Sequence, residues 1–110
     1  MNPEIKAKWV AALRSGDYKQ TTSYLKLNDS YCCLGVLCEV SKLKTGYGIS
    51  ENRMEIGSNK IISNTIQKWA GLDCKSGDSV IIGGELNQLA THNDNGRTFL
   101  EIADAIESQM

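Results

Sequence analysis

The sequence predicts a mainly α (α+β) fold, with about five helices and a small β-hairpin or short antiparallel sheet in a single compact domain. Three observations predict it. Apolar residues recur at helical spacing in several segments, first at Ile5, Trp9, Ala12 and Leu13. Helix starts are marked by capping residues, most plainly in Thr98-x-x-Glu101. Strand-like runs are short; Ser79-Val80-Ile81-Ile82 holds three β-branched residues.

Length and charge set the outer bounds. A chain of 110 residues builds one core, so residues 1–110 are read as one domain. With 41% apolar and 23% charged residues the composition is globular, which argues against disorder. The net charge of −1 leaves no basic excess to meet a phosphate backbone, so no nucleic acid polymer is expected as partner. No apolar run approaches the roughly 20 residues of a membrane span, so no membrane partner is expected. Met1-Asn2-Pro3-Glu4 opens a polar helix instead of a signal peptide, which predicts a cytoplasmic protein.

The first helix is expected over residues 3–15. Asn2 caps it, Pro3 takes its first position, and Gly16 suits the left-handed ending. A polar link, residues 17–22, follows. Residues 23–27 alternate, with Leu25 and Leu27 expected on one face, and Asn28-Asp29-Ser30 is turn chemistry. A short hairpin is therefore expected, its second strand near Tyr31-Cys32. A second helix is expected over residues 33–44, with Gly46 ending it. Its first half is apolar nearly all round, which marks a central element. Gly35 inside it costs roughly 1 kcal/mol against Ala, so another backbone is expected to approach there.

Residues 47–60 read as a loop with a short strand near residues 54–56. A third helix is expected from Ser63 or Asn64, with Ile62, Ile66, Trp69 and Ala70 facing inward and Gly71-Leu72 closing it. After the Ser79–Ile82 strand, Gly83-Gly84 breaks the chain. Leu86, Leu89 and Ala90 predict a short fourth helix ending near Thr91, and residues 92–96 a loop. The last helix follows Thr98, with Phe99, Ile102, Ala103 and Ile106 as its core stripe.

Tyr31-Cys32-Cys33-Leu34-Gly35-Val36-Leu37-Cys38 is the most distinctive stretch. The fourth thiol, Cys74, is distant. No C-x-x-C pair exists, so zinc lacks its usual spacing. Buried free thiols are the main expectation for a cytosolic chain. A nucleophilic role stays open for Cys32 and Cys33, because a helix start lowers a thiol pKa.

Four segments taken together carry a resemblance. They are residues 9–20, beginning Trp9-Val10-Ala11-Ala12-Leu13-Arg14-Ser15-Gly16; residues 31–38; Trp69-Ala70-Gly71-Leu72; and Leu89 through Asn93-Asp94 to Phe99-Leu100-Glu101-Ile102-Ala103-Asp104. The set resembles a family of small bacteriophage proteins and covers most of the chain except residues 47–60. Thr21-Thr22 stand where relatives carry glycine, so a backbone role for that glycine does not carry over. The resemblance implies a phage accessory protein acting in the cytoplasm of an infected bacterium. Such proteins often neutralise host defence, one mode being to soak up the cyclic or ADP-ribose-type nucleotide signals of systems such as Thoeris or CBASS.

Two polar segments are candidate binding sites. Tyr18, Lys19, Gln20, Thr21, Thr22 and Tyr24 offer an ammonium, an amide, hydroxyls and aromatic rings, groups that suit phosphate and a stacked base. Asn93, Asp94 and Arg97 precede a capped helix and suit a ribose and a phosphate. The plainer alternatives are a solvated connector and a turn bonding its own backbone. His92, the one histidine, is expected at the surface, and no nucleophile or metal motif accompanies it. The leading expectation is a protein that binds a small nucleotide-derived host signal without turnover, using no cofactor, catalytic residue or metal. It is expected to form a homodimer. The alternative is a protein that binds and inhibits a host protein. A small nucleotide hydrolase is weaker, for want of an H-x-x-x-H or metal motif.

Overall fold

Helix α1 covers Pro3–Arg14, and local signals set both its ends. Asn2 Oδ1 accepts the N–H groups of Glu4 at 2.9 Å and Ile5 at 3.2 Å, two donors that have no partner inside the helix. Its inward face is Ile5, Trp9, Val10 and Leu13. The computed structural model describes residues 1–41, 62 and 64–110. The expected strand near residues 54–56, the end of the second helix at 44–46 and the helix start at Ser63 lie outside the described residues.

Three two-residue strands follow: β1 (Lys19–Gln20), β2 (Lys26–Leu27) and β3 (Ser30–Tyr31). Their order is β1-β3-β2, with β3 antiparallel to β2 and parallel to β1. The expected hairpin is therefore present, turning at Asn28 with φ 54°. The polar link differs from its expectation, because Lys19–Gln20 adds a third strand. Thr21 N–H continues the pairing by donating to the Tyr31 carbonyl at 2.8 Å. Leu25 and Leu27 do not share a face: Leu25 is buried, Leu27 exposed. Leu25 lies before the strand, and its carbonyl turns to accept Cys32 N–H at 3.1 Å.

The central helix, α2 (Cys33–Ser41), buries every residue from Cys33 to Cys38. Gly35 is where another backbone approaches. A Cβ there would overlap the Leu25 carbonyl oxygen and sit 2.8 Å from its carbon. Helix α3 (Asn64–Ala70) ends in a Schellman motif, with Leu72 N–H donating to Gln67 O at 3.0 Å and Gly71 N–H to Lys68 O at 3.2 Å. The start of α1 docks on that end through Asn2 N–H to Ala70 O, 3.0 Å. Ile66 and Ala70 are buried and Trp69 is half-buried.

Strand β4 (Ser79–Ile82) lies where expected. The next segment corrects the expectation. Residues 85–88 are strand β5 (Glu85–Gln88), antiparallel to β4, and helix α4 spans Leu89–Asp94. Gly83 and Gly84 both have positive φ, 61° and 82°, the requirement of a two-residue type I′ hairpin loop. The glycine pair thus folds the chain back instead of ending a strand before a helix. Leu86 faces solvent on β5, and His92, Asn93 and Asp94 are helical, not loop. Helix α5 (Phe99–Gln109) starts at the capping box, Thr98 Oγ1 accepting Glu101 N–H at 3.2 Å and Glu101 Oε1 accepting Thr98 N–H at 3.2 Å.

The architecture is a single α+β domain: five helices among the described residues, around α2, with two small sheets on the outside. Trp9, Leu34, Leu37, Ile66, Ile102 and Ile106 form the centre of one apolar core. Helices α1 and α5 are tied at the surface by Arg14, which donates to Asp104 at 2.7 Å and to Glu107 at 2.9 Å. Among the described residues no helix is long and apolar enough to cross a membrane.

Candidate functional site

The two polar segments singled out in the sequence meet, and they meet by bonding each other. Asn93 is fully buried. Its Oδ1 accepts Gln20 Nε2–H at 3.0 Å and Cys33 N–H at 3.1 Å, while its Nδ2 donates to Thr21 O at 2.7 Å. Gln20 reaches the other way. Its Nε2 also donates to Arg97 O at 2.6 Å, and its Oε1 accepts Phe99 N–H at 3.1 Å. Backbone partners decide which end of each amide is oxygen. Cys33 and Phe99 N–H can only donate; Thr21 and Arg97 carbonyls can only accept.

The physical reason for this junction is the burial of a helix start. The first N–H groups of a helix lack internal partners, and at α2 they point into the protein. Asn93 satisfies Cys33. Cys32 serves as the cap residue, its Sγ accepting Gly35 N–H at 3.4 Å. Gln20 does the same for Phe99, the first residue of α5. Two side-chain amides, bonded to each other, therefore cap two helices and hold β1 between them. Sequence reasoning named both residues and read them as ligand groups. Each has a cheaper use inside the fold, because a buried unpaired N–H costs about 1–3 kcal/mol.

The remaining candidates sit as follows. Asp94 is half-buried, with Oδ1 accepting Ser23 N–H at 2.8 Å. Arg97 pairs with Glu101 at 3.3 Å, and its guanidinium lies against Gly83, where a Cβ would overlap it. Thr21 contributes its backbone to both partners already named. Tyr18 packs edge-on against Tyr31, ring centres 5.3 Å apart, with Lys26 Nζ 5.3 Å from the Tyr31 centroid. Lys19 and Tyr24 are exposed. Tyr31 donates to Glu39 at 3.0 Å; burial, then this bond, push its phenol up to about 12.

His92 corrects its expectation. It is buried, and Nε2 donates to the Val80 carbonyl at 2.7 Å, pinning α4 to β4. The thiols at the α2 start are also not primed for chemistry. Burial pushes Cys32 up to about 11 and Cys33 and Cys38 well above the ordinary thiol range. The capping bond from Gly35 pulls Cys32 the other way and is outweighed by desolvation. Cys74 is half-buried and accepts Gln88 Nε2–H at 3.1 Å. Among the described residues no group of three or more His, Cys, Asp or Glu is placed to hold a metal ion.

A second surface feature was not foreseen. The outer side of α1 bears an open groove of about 490 Å³ against α5. Pro3, Ala7, Val10 and Ala11 supply its short apolar lining; Lys6, Arg14 and Glu107 supply charge. Arg14 is the anchor here, held charged by its bonds to Glu107 and Asp104. The signal was available in the sequence as alanines at 7 and 11 on the face opposite Trp9 and Leu13, but only docking of α5 makes that face concave.

No curated protein and no solved structure matches the chain. One family model does, over residues 1–110. The chain belongs to that family, described as a domain of unknown function (DUF8296).

Proposed function

We propose that the chain is a phage-encoded accessory protein that binds and inhibits a host protein, with the α1–α5 face as its contact surface. One observation carries this reading. The side chains suited to a nucleotide (Gln20, Asn93, Asp94 and Arg97) are bonded within the fold, while the α1–α5 groove is open, its short apolar side chains flanked by Lys6, Arg14 and Glu107. A small-molecule site encloses most of its ligand. An open groove floored by Ala7, Val10 and Ala11 suits a helix or an apolar side chain from a protein surface instead. The bacteriophage resemblance supports the setting. Nucleotide sequestration would be left with Lys19 and Tyr24, Tyr18 being packed against Tyr31.

The test is affinity purification of wild type and of Ala11→Glu from expressing bacteria, with quantitative mass spectrometry. Ala11 is exposed, so the variant should fold as wild type by circular dichroism. A host protein recovered with wild type and lost with Ala11→Glu is expected. Native mass spectrometry showing a bound nucleotide and no protein partner would overturn the proposal in favour of sequestration. So would a partner retained equally by the variant, as regards this surface.

A further inference from the structure

Hairpin β4–β5 has two outer edges, and the structure treats them differently. On β4, Gln109 lays its carboxamide against Ile81. Its Oε1 accepts Ile81 N–H and its Nε2 donates to Ile81 O, both at 2.7 Å. A side-chain amide thus occupies the place of a neighbouring strand and closes that edge. These two bonds also fix the ladder. Ile81 lies opposite Leu86. Opposed residues in an antiparallel pair alternate between exchanging both backbone bonds and exchanging neither. Ile81 directs both groups outward to Gln109, so Leu86 must direct its N–H and C=O outward from the other edge. Among the described residues nothing takes them. Leu86 is 66% exposed and Ile81, beside it on the same face, 54%.

We infer that β5 is a self-pairing edge through which two copies of this chain join antiparallel, centred on Leu86. Leu86 N–H of each copy donates to Leu86 C=O of the other. On one face this lines up Ile81, Leu86 and the partner's Leu86 and Ile81 as a continuous apolar row. On the opposite face Glu85 stands across from the partner's Asn87, and the arrangement repeats by symmetry. A carboxylate thus meets an amide twice, and no like charges are brought together. Self-complementarity of this kind is what a two-fold interface requires. A net charge of −1 does not oppose it. The closed β4 edge limits the addition to one strand per copy, which gives a dimer and not a fibre.

So short a strand makes a weak pair, so sedimentation equilibrium of the full chain is measured from about 10 μM to about 1 mM. Wild type should pass from monomer to dimer mass in this range. Leu86→Pro removes the outward N–H together with the leucine side chain of the apolar row, a change an edge strand tolerates, and should remain monomeric. Asn87→Asp should weaken association at least tenfold by setting carboxylate against carboxylate. Adding Glu85→Lys to Asn87→Asp should restore it through two ion pairs. Circular dichroism checks the fold of each. A wild type monomeric throughout overturns the inference, as does Asn87→Asp associating as well as wild type. If Leu86→Pro does not fold, the charge pair decides alone.

Discussion

Asn93 and Gly35 show how much of this fold rests on single atoms. Removing the Asn93 carboxamide leaves the buried Cys33 N–H without its partner and takes one bond each from Gln20 Nε2 and Thr21 O. Asn93→Ala is expected to cost about 3 kcal/mol or more, given about 1–3 for each buried group left unpaired. Gln20→Ala should cost less, about 1–2 kcal/mol, because Gln20 is half-buried and water can reach its partners. Urea unfolding measures both. Asn93→Ala within about 0.5 kcal/mol of wild type would remove the junction from its structural role. At Gly35 the constraint is steric. Ala is the better helix former by roughly 1 kcal/mol, yet its methyl would overlap the Leu25 carbonyl. Backbone has to move, so Gly35→Ala is expected to destabilise by about 3 kcal/mol or to prevent folding. A stabilised variant would show that the approach of the Leu25 backbone is not rigid.

At the scale of elements, the helix ends decide where chains stop and turn. Thr98 is exposed and caps α5 reciprocally with Glu101. Thr98→Ala should lower stability by ~1 kcal/mol, read by denaturant melt. A loss well above that would place Thr98 in a wider network. The end of α5 contributes differently, since Gln109 closes the β4 edge. The α2 start has sulfur as its local cap, from Cys32, and shares with α5 a bond to a distant amide, Asn93 at α2 and Gln20 at α5.

Across the whole molecule, α1 and α5 are joined at the surface by charge. Bonding to Arg14 holds the Glu107 carboxyl below its ordinary value, and the bond from Thr98 N–H does the same for Glu101. Depressed carboxyl values in the fold mean stability present above the unfolded value and lost as pH falls through the folded one. Loss should therefore begin below about pH 4.3. In Arg14→Gln the Glu107 share is gone, so its thermal midpoint should fall less steeply between pH 5 and pH 3 (roughly the carboxylate range). Equal slopes in wild type and variant would exclude the cluster as a source of acid sensitivity. The Glu107 carboxylate is exposed, so added salt should shrink the difference.

What the sequence determined by itself was local. Asn2-Pro3, Gly71-Leu72 and Thr98-x-x-Glu101 act within one turn of chain, and the structure places all three helix ends there. The inward stripes of α1 and α5 and the close approach at Gly35 were legible for the same reason. Spacing and residue type alone demand a buried face or an unusual neighbour. Residues 86–90 were not legible, because Leu86, Leu89 and Ala90 fit a helical stripe as well as a strand leading into a helix. The Gly83-Gly84 turn and pairing with β4 chose between them. The polar segments divide in the same way. Their residue types announced bonding capacity, and sequence cannot say whether that capacity faces a ligand or the protein. Tertiary structure brought Gln20 and Asn93, 73 residues apart, to 3.0 Å and set them over two helix starts. Burial then decided the rest: it turned His92 into a core residue, raised the three α2 thiols, and gave the amides backbone partners that could not be left unpaired.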